Sequence, residues 1–93
     1  MAHRERRLDN IVRAHRQRTG EQSVLVCGLL LAEETGEAIQ QLRPFAGHAR
    51  STATIDDVVA ELADVVISAS ILARLLDVDL DGTVSRKLDL GVR

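Results

Sequence analysis

The 93-residue chain contains no tryptophan, no tyrosine and one phenylalanine, Phe45. The aromatic platforms on which single-stranded nucleic acid stacks are therefore almost missing. One cysteine, Cys27, excludes an intramolecular disulfide, and its place in the apolar run from Val24 to Ala32 reads as a small core residue rather than a reactive thiol. The single proline, Pro44, falls between apolar segments. No uncharged run approaches the roughly 20 residues that span a bilayer, and the start has no signal-peptide pattern, so the sequence predicts a cytoplasmic protein without a membrane segment.

Charge is nearly balanced, with 12 Lys and Arg against 14 Asp and Glu, but it is unevenly spread. Arg4, Arg6, Arg7, Arg13, Arg16 and Arg18 crowd the amino-terminal segment. Such a segment can bind nucleic acid, attract nucleotide phosphates or keep a helix in water. The shortage of aromatics favours the last two and argues against nucleic-acid binding. Between Gly20 and Val78 the only cations are Arg43, Arg50 and Arg74, so acids dominate there.

Valine, isoleucine and leucine recur three and four residues apart rather than alternating, which predicts an all-α chain of one domain, residues 1–93. The first helix is expected from about Arg4 to Arg18, with Leu8, Ile11, Val12 and His15 on one face and Gly20 ending it. His15 on that stripe reads as a packing residue. The second is expected from about Gln22 to Arg43, stopped before Pro44 by the clash of proline with a preceding helical residue. The third follows a polar connection, from a cap at Thr54 or Asp56 to about Leu76, and a short fourth starts after Asp79. In that connection His48 and Arg50 could reach a ligand, although a solvated loop accounts for them.

Two features bear on packing, and the second implies a partner subunit. Gly28, Ala32 and Gly36 line one ridge of the second helix, where each glycine costs about 0.5–1 kcal/mol relative to alanine, and packing of another helix is the simplest account. The third helix carries Val58, Leu62, Val65, Val66, Ile67 and Ile71 around most of its circumference. A helix apolar on all sides is buried on all sides, which in so small a domain predicts a homodimer or homotetramer.

Carboxylates are embedded in these same apolar helices. In "EETGE", Glu33, Glu34 and Glu37 fall within about 100° of arc, and in "ELADVV" Glu61 and Asp64 lie three residues apart, about 60° from each other, with Asp57 one turn earlier on the same edge. Burying an ionised carboxylate without a partner costs several kcal/mol, and too few cations stand nearby to neutralise this set. A hard divalent cation, Mg²⁺ or Mn²⁺, prefers oxygen ligands and leaves positions open for water and phosphate. No histidine sits beside the acids, which argues against zinc and against the Glu-x-x-His di-iron pattern.

"EETGE" followed by "ELADVV", and then "LLDVDLDGTVSRKL", resembles the signature of the MazG-like, all-α nucleoside triphosphate pyrophosphohydrolases. The resemblance covers about Leu29 to Leu88. It implies a four-helix-bundle type domain completed by oligomerisation, Mg²⁺ dependence, and a nucleoside triphosphate substrate cleaved to a monophosphate and pyrophosphate. By motif position, Glu34, Glu37, Glu61 and Asp64 would be metal ligands, and Glu33 an outer ligand or the group that orients the attacking water. Lys87 and Arg93 would contact substrate phosphates or sugar. Gly91 stands where the family commonly has asparagine. The rival expectation is a non-catalytic helical module that keeps the metal-site fold and works through an interface.

Overall fold

The computed structural model describes residues 2–48 and 52–91. Four α-helices follow one another: α1 (Ala2–Thr19), α2 (Ser23–Phe45), α3 (Ile55–Leu75) and α4 (Leu80–Asp89). A single 3₁₀ turn, Gly20–Gln22, joins α1 to α2, and there is no strand among the described residues. All-α character agrees with the sequence expectation, and among the described residues no helix is long and apolar enough to cross a membrane.

Local chemistry sets most helix ends. Gly20 takes φ +52°, a left-handed conformation that stops α1. Thr54 caps α3 by accepting from the Asp57 amide at 3.2 Å, while the Asp57 carboxylate accepts from the Thr54 amide at 2.9 Å. This reciprocal capping box satisfies two amide donors that an uncapped helix would leave bare. It also engages Asp57 as a cap, so Asp57 does not extend the acidic edge as its spacing suggested. Asp79 caps α4 through the Gly82 amide at 3.0 Å.

The carboxyl end of α2 departs from expectation. The helix passes through Pro44 and ends at Phe45. Gly47 at φ +84° closes it: the His48 amide donates to the Arg43 carbonyl at 2.8 Å and the Gly47 amide to the Pro44 carbonyl at 3.0 Å. That pair of bonds is a Schellman motif, and the helix ends where the left-handed glycine permits it rather than where proline begins. Pro44 has no amide hydrogen to donate to the Gln40 carbonyl one turn earlier, and the helix nevertheless continues through it to Phe45.

Packing is concentrated among the first three helices, and α4 has no extensive interface with them. Leu8 and Val12 of α1, Cys27 of α2 and Ile71 of α3 form the buried cluster, with Leu72 and Leu75 against it. Leu8, Val12 and His15 recur at helical spacing, and His15 is buried in the packed face as expected, with Nδ1 3.3 Å from an Arg18 guanidinium nitrogen. The α1 end is further tied by hydroxyls: Thr19 and Ser23 lie 2.7 Å apart, and both reach the His15 carbonyl. Arg74 of α3 pairs with Glu5 and Asp9 of α1, the latter at 2.7 Å. In α2 and α3, Cys27 meets Ile71 while Glu34 meets Glu61 and Asp64, so partner numbers fall on α3 as they rise on α2. The two helices are an antiparallel hairpin.

Candidate metal centre

The hairpin register decides which acids converge. Seven residues beyond Cys27 on α2 comes Glu34, and seven before Ile71 on α3 comes Asp64, with Glu61 one turn further. Seven residues is close to two helical turns, so these side chains repeat the inward direction of the core pair. Ligand oxygens of Glu34, Glu61 and Asp64 all lie within 4.8 Å of one another. Glu34 and Glu61 are half-buried, and Asp64 is exposed at the rim.

Electrostatically the arrangement is strained. One oxygen each of Glu34 and Glu61, Oε2 in both, is shut off from solvent and has no hydrogen-bond partner. Among the described residues no cation pairs with any of the three carboxylates, and Arg74, the nearest cation in sequence to Asp64, is held by Glu5 and Asp9. Desolvation pushes the Glu34 pKa above the ordinary glutamate value, and the charges of Glu37 and Asp64, a hydrogen bond to Glu37 and the charge of Glu61 push it further in the same direction. Three carboxylates facing one another without a counter-charge is a state that a cation relieves. The donor set is all oxygen, with no sulfur or nitrogen, which suits a hard divalent ion.

Not every residue singled out in the sequence joins the group. Glu37 is exposed and stands beside Glu34, acting on its proton affinity, but lies outside the three-carboxylate group. Glu33 is exposed too, turned about 100° around α2 from Glu34, which places it outside the cluster. Lys87 is exposed on α4. Arg93 and Arg50 lie outside the described residues, and His48 is exposed after the end of α2. The commitment of Arg74 to α1 is what the sequence could not show, because Glu5 and Asp9 are more than 60 residues away along the chain.

No protein-family model, curated protein or solved structure matches this chain.

Proposed function

We propose that the chain is a Mg²⁺-dependent nucleoside triphosphate pyrophosphohydrolase of the MazG-like kind, converting a nucleoside triphosphate and water to a monophosphate and pyrophosphate as a homo-oligomer. The observation that carries the reading is the meeting of Glu34, Glu61 and Asp64 within 4.8 Å, with two of their oxygens buried and unpartnered. Orphaned carboxylate oxygens cost free energy in the metal-free chain, and a site that stores this cost is built to be neutralised by something it binds.

Glu34, Glu61 and Asp64 would hold the ion, with Glu37 adding negative charge at the edge. Mg²⁺ bound there supplies charge neutralisation for the triphosphate and a lowered pKa for a coordinated water. In the reaction, a water oxygen forms a bond to the α-phosphorus while the bond to the α–β bridging oxygen breaks, and pyrophosphate leaves with that electron pair. The attacking water must lose a proton. Glu33, exposed and outside the three-carboxylate group, is free to accept it. Lys87 on α4 and Arg93 supply positive charge for phosphate oxygens.

The test is product analysis with a panel of ribo- and deoxyribonucleoside triphosphates and Mg²⁺. Monophosphate and pyrophosphate are expected in equal amounts, and Glu61→Gln or Asp64→Asn is expected to cut the rate by about a hundredfold or more. No turnover of any triphosphate by the folded, metal-loaded protein would refute the enzyme and leave the non-catalytic module.

A further inference from the structure

The arginines of α1 are sorted around the helix. With Leu8 set at 0° and about 100° per residue, the buried Leu8, Val12 and His15 fall within about 60° of one another, on the side that meets the hairpin. Arg6 and Arg13 lie at about 160° and 140°, and Arg7 and Arg18 at about 260° and 280°. Two basic rows, about 120° apart, thus run along the outer side of α1, with the amide side chains of Gln17 and Asn10 between them at about 180° and 200°. All six residues are exposed. The uncovered arc runs from Arg16 at about 80° to Ile11 at about 300°, so this outer side stands clear of α2 and α3.

Acids are withdrawn from these rows. The first helix holds six of the 12 Lys and Arg of the chain but only two of the 14 Asp and Glu, and Arg74 of α3 pairs with both, Glu5 and Asp9. Arg4 and Arg16 line clefts with Asp79 where α1 meets the α3–α4 connection, and Arg13 borders the second cleft from the outer flank. Arg13 contacts Asn10 and Arg18 contacts His15, but among the described residues no acid pairs with any arginine of the two rows. By contrast α2 and α3 carry seven acids against Arg43 and Arg74. A polyanion is therefore repelled by the hairpin and attracted to α1.

The residues around the arginines select the polyanion. A helix that lies on a lipid surface needs a broad apolar face to bury there, whereas Leu8 and Val12, each 7 % exposed, are spent in the core. A single nucleic-acid strand needs aromatic platforms, which the chain lacks. That shortage counts against single strands only, because the bases of a duplex are already stacked on one another. The major groove of B-DNA, about 12 Å wide, admits an α-helix, while the major groove of duplex RNA is too deep and narrow for side chains to read.

We infer that α1 binds duplex DNA by lying in its major groove. Arg6 and Arg13 meet phosphates of one strand and Arg7 and Arg18 those of the other, which positions the helix. Asn10 and Gln17, between the rows, face the base edges, where a side-chain amide both accepts from and donates to adenine. The surface is separate from the metal centre, and the inference holds whether or not the acids turn over a nucleotide.

Fluorescence anisotropy of a labelled DNA duplex of about 20 base pairs, titrated with the full chain in EDTA, tests this apart from any metal-dependent activity. Four phosphate contacts predict that the logarithm of the binding constant falls against that of salt with a slope of about −3.6, a weakening of about 150-fold from 50 to 200 mM. Arg6→Gln with Arg13→Gln should halve the slope to about −1.8, while the charge-matched pair Arg43→Gln with Arg86→Gln leaves it in place. Should the first pair fail to fold, Arg7→Gln with Arg18→Gln should halve it likewise. Duplex RNA and single-stranded DNA should bind at least about tenfold more weakly. No binding at 50 mM salt, an equal loss in the control pair, or equal affinity for duplex RNA or single strands overturns the inference. Binding to phosphatidylserine vesicles in place of DNA overturns it as well and gives the face to a membrane.

Discussion

Arg74 offers the sharpest quantitative test of how α1 is held. Its guanidinium reaches Glu5 and, at 2.7 Å, Asp9, and no other cross-helix ion pair occurs among the described residues. At 2.7 Å two unit charges attract by about 1.5 kcal/mol in a water-like medium and about 6 kcal/mol at an effective dielectric constant of 20. The Glu5 and Asp9 side chains are 41 % and 56 % exposed, which places the pairs near the water-like limit. Fixing long side chains consumes much of the remainder, leaving about 0.5 kcal/mol per pair and about 1 kcal/mol in all. Arg74→Met keeps most of the apolar stem and removes the charge. At fixed protein concentration it should lower the melting temperature by about 4–8 °C. A double-mutant cycle with Asp9→Asn should return a coupling of about 0.5 kcal/mol, shrinking in 1 M salt, where the screening length is about 3 Å. An unchanged melting temperature would refute the clamp, and a loss that ignores salt would show that the stem, not the charge, matters.

Further expectations follow from the site and the core. Because the folded chain raises the Glu34 pKa, it binds that proton more tightly than the unfolded chain does, and the Glu34 contribution to stability falls as pH rises from the ordinary glutamate range through the raised value. Without divalent metal, urea midpoints from about pH 4 to 8 should therefore converge with those of Glu34→Gln at the acid end and fall below them at neutral pH; parallel curves would contradict the reading. Ile71, 7 % exposed within the central cluster, should cost about 2–5 kcal/mol when cut to alanine, checked by chemical denaturation against the exposed control Leu88→Ala. Thr54→Ala should cost about 1 kcal/mol by removing one half of the capping box, and local amide exchange in the first turn of α3 should rise with it.

What could be read in the sequence was whatever local chemistry decides. Gly20, Thr54 and Asp79 mark helix ends because a left-handed glycine or a capping oxygen acts within a few residues. Pro44 misled because the actual terminator, Gly47, lies beyond it and closes the helix through amides of Gly47 and His48 that reach back to Pro44 and Arg43. The meeting of Glu34 with Glu61 and Asp64 followed from spacing once the two helices formed a hairpin. Spacing alone could not separate these acids from Asp57, which the Thr54 cap claims, or from Glu37, whose direction about one-sixth of a turn away takes it to solvent. The exposed apolar side of the hairpin, where Leu62 and Val66 stand half-exposed, was legible as too much hydrophobic circumference, but which half stays bare depended on where α1 docks, and that is set by residues far apart in the chain.

The central claim is that Glu34, Glu61 and Asp64 are held without counter-charges because they take up a divalent ion. Binding of Mn²⁺, a spin-active stand-in for Mg²⁺, measured by electron paramagnetic resonance on the full chain tests it most directly. Saturable binding that weakens at least about tenfold in Glu61→Gln, with helix content unchanged, is the expected result. Equal affinity in the wild type and Glu61→Gln, or no saturable binding to the wild type, would contradict it.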